Sequence, residues 1–303
     1  MIEEDIPPGL AGERVDRIVS LVTEVSRAEA ARLIEGGFVR VDGAPVGSGK
    51  ERMRTGQRLQ VDTTGISTPT LPAADPAVGV SVVFADEHLV VIDKPAGLVV
   101  HPATGNETGT LVNGLLAKFP EIADVGQPER PGIVHRLDGG TSGLMLVART
   151  TLAYDLLVEQ LRRHDVERIY DALVWGAPES PSGLIDAPIG RDPRDPLKMS
   201  VVATGREART WYAVRRTWSS PPLALVELRL ETGRTHQIRV HLAAIGHPVV
   251  ADHQYGGRRP TLGLERPFLH ARRLELRHPV TDEPLAFDSP RPPDLEAVLA
   301  QLS

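Results

Sequence analysis

One carboxylate, Asp138, stands in GIVHRLDGGTSGLMLVA (132–148) between the basic pair His135-Arg136 and a turn of Gly139, Gly140, Thr141 and Ser142. An apolar run, Leu144 to Ala148, follows. Gly139 and Gly140 would let the backbone bend sharply and approach a ligand, because no Cβ restricts φ. An acid on such a turn is placed like a held reactive group, although a plain aspartate turn at a strand start has the same residues. A buried carboxylate is costly unless it is paired. The pairing candidate is Arg239 in ETGRTHQIRVH (231–241), where the helix-like spacing of His236, Arg239 and His241 would fix it on a rigid element. Taken in isolation, Arg239 reads first as a surface helix arginine. Tyr170, in ERIYDALVWG, offers a flat ring and a hydroxyl on a strand, or simply a core contact.

Other chemistries find less support. The chain has no cysteine, which removes disulfides, thiolate zinc sites and thiol nucleophiles. His236 and His241 are five apart with no HExxH pattern, so no metal is expected. Residues 44–50 imitate a P-loop, but Ala44 replaces the first glycine and Glu51 the Ser/Thr, so they are discounted as a phosphate site. A glycosidase needs two cooperating acids. Asp171 beside Tyr170 would face the other side of a strand, and no second acid accompanies Asp138.

The elements that must hold these residues form two groups. Val15, Ile18, Val19 and Val22 follow helical spacing, and Ser26 with Glu29 makes a capping box for a second helix ending at Gly36-Gly37. Short strands are expected at 38–41 and 58–61, with a turn at Asp42-Gly43. TTGISTPTLPAADP (63–76) has three prolines and no apolar periodicity, which suits a linker. Beyond it, strands are expected within 80–93 and over 144–148, 169–174, 210–215 and 223–230. Helices are expected after Thr110 and over 152–163 and 236–245. Strands outnumber helices without regular alternation, which predicts an α+β fold. A length of 303 residues accommodates a small domain, 1–62, and a larger one, 77–303.

No run of eighteen apolar residues exists and the start, MIEEDIPPGL, lacks an apolar signal core, so no membrane partner is expected and the cytoplasm is the expected compartment. The formal net charge is −6, which does not favour a nucleic-acid partner, yet arginines gather near the motifs just described.

The HRLD…TSG segment resembles the signature of the RluA/RluD family of RNA pseudouridine synthases. ERIYDALVWG is similar to that family's second motif and TGRTHQIRVHLAAIGHPVVAD to its third. VDRIVSLV followed by SRAEAARLIEGGFVRVDG resembles the S4 RNA-binding module, and DKPAGLVVHPATGNETGTLVN (93–113) extends the resemblance over nearly the whole chain. The resemblance implies an S4-like domain joined to a catalytic domain on a mostly antiparallel mixed sheet with a central cleft. It implies Asp138 as the catalytic nucleophile, Arg239 as its salt-bridge partner and Tyr170 as the stacking residue. Arg136 is placed toward a substrate phosphate, or as support of the Asp138 turn. Leu269 closes the pocket, or is a core leucine. His135 and Thr141 complete the implied substrate-binding set. The expected reaction needs no cofactor and converts uridines of structured RNA, with 23S ribosomal RNA the expected partner and the protein acting as a monomer. A synthase for tRNA and a non-catalytic ribosome-assembly protein are the alternatives. Some positions depart from the family pattern: Gly139 follows the aspartate where a longer, often basic residue is usual, Ala251 precedes Asp252 where glycine is usual, and Arg149 and Arg168 replace common lysines.

Overall fold

A computed structural model describes residues 1–25, 27–65, 71–102, 105–195 and 197–302. The chain divides into two compact units, Met1–Pro69 and Thr70–Ser303. Ser26, the expected helix cap, and residues 66–70 of the expected linker lie outside the described residues.

The first unit runs β1 (Ile2–Asp5), α1 (Val15–Thr23), α2 (Arg27–Glu35), β2 (Val39–Val41), β3 (Ala44–Pro45) and β4 (Arg58–Val61). Its antiparallel sheet has the order β1-β4-β2-β3. Helical spacing puts Val15, Ile18 and Val19 of α1 on one face and Ala30, Leu33 and Ile34 of α2 on another. Both faces close on Val39, Leu59 and Val61 to make one small core.

The second unit continues with β5 (Val82–Ala85), β6 (Leu89–Lys94), α3 (Leu111–Lys118), β7 (Gly126–Gln127), β8 (Arg130–Pro131), β9 (Ser142–Ala148) and α4 (Thr151–Arg163). Then come β10 (Glu167–Trp175), β11 (Ser182–Asp186), β12 (Ile189–Arg191), β13 (Met199–Val201), β14 (Arg209–Ser219) and β15 (Pro222–Leu230). The chain closes with α5 (Gln237–Ala244), β16 (Leu269–Arg277), β17 (Pro284–Asp288) and α6 (Pro293–Gln301). Nine strands form the main sheet in the order β11-β14-β15-β10-β16-β9-β6-β5, with β17 also on β16. Among the described residues its pairings are antiparallel except β9 with β16, so the α+β, mostly antiparallel expectation holds.

β6 and β9 are buried on both faces. Val90, Ile92, Met145 and Val147 enter the core on one side, while Leu89, Val91, Leu144 and Leu146 enter the core on the other. That is why both read as unbroken apolar runs. The parallel contact is short, His270 opposite Ser142 and Ala271 opposite Gly143. Beyond it β9 and β16 part, and the chain ahead of Asp138 fills the space. Ala148 donates its N–H to the Gly132 carbonyl at 2.8 Å, and Ile133 bridges Val147.

Candidate active site

Asp138 lies at the end of that inserted segment, directly before β9. Thr141 donates its N–H to the Asp138 carbonyl at 3.0 Å, which makes the expected tight turn. The role expected of Gly139 and Gly140 is corrected. Neither takes a positive φ, whereas Gly143 does, at +115°, and a Cβ there would lie 2.2 Å from the Ala271 carbonyl oxygen. The glycine that the geometry demands is the one that lets β16 come alongside the start of β9. A Cβ at Gly139 would meet only Val99, at 3.7 Å, so the longer residue usual there in the family has room.

Arg239 reaches the turn from α5. Its Nε and Nη2 donate to the two oxygens of Asp252 at 2.7 and 2.8 Å, and its Nη1 donates to Asp138 at 3.2 Å. Asp252 has a fully buried side chain and fixes the guanidinium plane, leaving one edge for Asp138. Burial opposes the charge of Arg239, but Asp252 and then Asp138 outweigh it and push its pKa up. The start of α5 is secured by Gln237, which takes the Thr232 hydroxyl (2.8 Å) and donates to the Arg209 carbonyl and the Thr210 hydroxyl (2.9 and 3.0 Å).

His236 caps α5 in a left-handed conformation, φ 57°. Its Nε2 stands 4.0 Å from Asp138 and its Nδ1 is 2.8 Å from the Tyr255 hydroxyl. Burial lowers its pKa, Asp138 works the other way, and Arg239 lowers it further. Ala251 also has a positive φ, 60°, which explains why glycine suits the position before Asp252.

Lys94 ends β6 beneath the same turn, 1 % exposed. Its ammonium donates to the carbonyls of Pro95, Leu98 and Gly139 at 2.9, 2.8 and 3.3 Å. Burial lowers its pKa to about 8 against the pull of Asp138. No role is expected of Lys94 from its neighbours in the chain, although a lone lysine closing an apolar strand before Pro95 stands out. Asp252 and Tyr255 were missed for another reason. Asp252 closes the third-motif string, but nothing in the spacing signals that it and Tyr255, 13 and 16 positions downstream, come back against Arg239.

A cleft of about 560 Å³ opens over Asp138. Its lining includes all seven residues expected at the site: Asp138, Tyr170, Arg239, Arg136, Leu269, His135 and Thr141. Their environments differ. Tyr170 is 5 % exposed, and burial, with Asp138, raises its pKa, so it stays a phenol. His135 accepts the Leu146 N–H on Nε2 at 2.9 Å, and burial, with Arg168, pushes its pKa down to about 3. It is a neutral ring that ties the segment to β9. Arg136 is exposed and meets His101 at 3.3 Å. Asp171, next to Tyr170, faces away and is held by Arg272 and Arg291 at 3.3 and 2.7 Å. Seven arginines (130, 136, 162, 168, 206, 234 and 239) line the cleft against two acids, Asp138 and Glu231. The local charge is therefore basic in a chain of net charge −6. Among the described residues no three His, Asp or Glu side chains could together hold a metal ion.

Comparison with known proteins gives a family match to RNA pseudouridylate synthase over residues 88–244 and to the S4 domain over residues 13–59. The chain is 49% identical over 299 residues to an uncharacterized RNA pseudouridine synthase of Chloroflexus aurantiacus, covering 98% of this chain and 92% of that protein. It is 44% identical over 310 residues to ribosomal large subunit pseudouridine synthase D of Xanthomonas campestris, covering 98% and 91%. Among solved structures, human RNA pseudouridylate synthase domain containing 1 matches with a TM-score of 0.58 and 27% identity over 73% of this chain and 88% of that one.

Proposed function

The chain belongs to the RNA pseudouridylate synthase family, and from that membership we propose that it converts uridines of large-subunit ribosomal RNA to pseudouridine, with Asp138 as the catalytic carboxylate. The relatives named as large-subunit synthases support the substrate class. The carrying observation for the site is the Asp138 carboxylate, set 3.2 Å from a doubly anchored Arg239 in an arginine-rich cleft.

In the reaction the N1–C1′ bond breaks, the uracil turns over, and C5 bonds to C1′. The C5 proton is lost and N1 gains one, so substrate and product are isomers and no redox partner is required. Asp138 serves as the anion at C1′ or at the base. Arg239 holds that anion in place without neutralising it by proton transfer, since guanidinium stays protonated. Tyr170 gives a face for the flipped base, worth about 1–3 kcal/mol if stacked, and Leu269 with Thr141 bounds its pocket. Arg136, exposed on the lip, meets the phosphate of the flipped nucleotide. His135 supports the segment that carries Asp138. All these groups come from one chain, so the acting unit is read as a monomer, working in the cytoplasm on its ribosomal substrate. Residues 1–62, within the first unit, serve as the S4-like RNA grip and residues 77–303 as the catalytic part.

The test is release of tritium from large-subunit RNA labelled at uracil C5, with chemical mapping of the product. Wild-type enzyme should release label and leave pseudouridine at discrete sites. Release from tRNA but not from ribosomal RNA would move the substrate assignment. No release from either would remove the enzymatic reading.

A further inference from the structure

We propose that Arg168, together with Arg206 and Arg234 at the loop of residues 232–235, forms a phosphodiester-binding site for the RNA linkage beside the uridine being converted. The proposal rests on the pseudouridine synthase reading and adds to it a second anchor, separate from Arg136.

Arg168 is 6 % exposed, yet it lines the cleft. Its Nη2 donates to the Leu230 and Glu231 carbonyls at 3.3 and 3.1 Å, while its Nε is buried without a partner. Among the described residues no carboxylate lies within 4.0 Å of it, unlike Arg239, which has Asp252 and Asp138, or Arg272, which has Asp171 and Glu227. A buried guanidinium with only two carbonyls for company is a poorly compensated charge. Burial accordingly lowers its pKa.

The neighbours add to the imbalance. The Nη1 of Arg168 would sit 3.0 Å from a Cβ at Gly233, so the 232–235 loop passes directly against it. Arg234, on that loop, donates to the Glu207 carbonyl at 2.9 Å, and neither it nor Arg206 has a carboxylate within 4.0 Å among the described residues. Burial and then the Arg206 charge lower the pKa of Arg234. Arg206 and Arg234 repel one another, and Glu207 offsets only part of this, while Arg168 is left with carbonyls alone. An anion received between the three would relieve both, and a phosphodiester fits a guanidinium fork by shape and charge.

The position names the linkage. Arg168 and Tyr170 are two residues apart on β10, about 7 Å along a strand, and both line the cleft. A phosphate on Arg168 therefore belongs to the nucleotide whose base lies on Tyr170, or to its immediate neighbour.

The experiment places single methylphosphonate linkages, which lack the negative charge, along a synthetic hairpin of large-subunit RNA that the wild-type enzyme converts. One linkage within a nucleotide of the target should weaken binding about tenfold or more when neutralised, the scale of one charged hydrogen bond. Arg168→Met should lose a similar factor and become indifferent to that linkage, and Arg168→Lys should retain part of the sensitivity. If Arg168→Met feels every methylphosphonate as the wild type does, or if no linkage near the target matters to the wild type, the site is wrong. The wild-type scan decides even if the Met variant does not fold. If no RNA is converted, the synthase reading has failed, and the phosphate site is judged separately by the Arg168 Nε–H resonance of the full chain. Millimolar inorganic phosphate should shift it where sodium chloride of equal ionic strength does not, and an unmoved resonance overturns the proposal.

Discussion

Arg239 commits two donors to Asp252 before it meets Asp138, so the two acids have different tasks at one guanidinium. Asp138→Asn preserves shape and removes the anion. Turnover should fall by at least about four orders of magnitude, as loss of a nucleophile does elsewhere, while RNA affinity changes little. A variant that still forms pseudouridine would remove Asp138 from the chemistry. Asp252→Asn acts at one remove: Arg239 keeps its charge but loses its anchor. Its kcat should drop while KM stays near the wild-type value, and an equal rise in KM would instead mean that the pair serves binding. For Tyr170, comparing Phe with Leu separates hydroxyl from ring, since only Leu forfeits stacking of about 1–3 kcal/mol. Lys94 provides the pH test. Its pKa falls from an ordinary lysine value to about 8 on folding, so between those values the unfolded chain binds more protons and stability must rise with pH. The contribution is complete above the unfolded pKa and lost as pH falls through 8. Urea unfolding from pH 7 to 10 should show this rise in the wild type and its loss in Lys94→Met. Parallel profiles for the two proteins would contradict the burial account.

β9 and β16 carry the site at the level of elements, because β9 follows directly on the Asp138 turn and β16 brings Leu269 to the cleft and Ala271 against Gly143. Their parallel contact depends on Gly143, where a Cβ would collide with the Ala271 backbone at a φ that L-residues avoid. Gly143→Ala should therefore destabilise the protein by about 3 kcal/mol or more, measured by urea denaturation. A loss below about 0.5 kcal/mol would show that the strands can separate freely. Elements with a clean period were legible in the sequence. The α4 helix, expected over 152–163, spans Thr151–Arg163, and the strand expected over 223–230 spans Pro222–Leu230. β16 was not recognised as a strand, because Arg272 and Arg273 interrupt its alternation and are held largely by acids from other elements, Asp171, Glu227 and Asp288, with Glu275 of β16 itself also on Arg273. Asp138 and Arg239 were legible as a pair because both lie in dense local motifs. Lys94 and Asp252 were not, since their importance comes from what the folded chain brings against them.

At the scale of the whole molecule, a net charge of −6 and an arginine-lined cleft divide the surface between repulsion and capture of a polyanion. Binding that rests on phosphate contacts releases counterions, so affinity should fall steeply and log-linearly with salt. The chain has two compact units, each with its own apolar core. The described residues that line the cleft all belong to the second. A base inside a duplex must leave its stack before Asp138 can reach C1′, at a cost of a few kcal/mol, and loops or distorted stems lower that cost. A first unit gripping a neighbouring RNA helix would make engagement of the cleft effectively intramolecular and raise the local RNA concentration there. Removal of residues 1–75 should then weaken affinity and blur site choice, yet leave the single-turnover rate at saturating enzyme near that of the full chain. Mapping the products of both proteins on the same ribosomal RNA reads selectivity directly. Unchanged affinity together with unchanged sites would show that the first unit does not act as the RNA grip. A collapse of the saturated rate would show that it helps build the catalytic cleft itself.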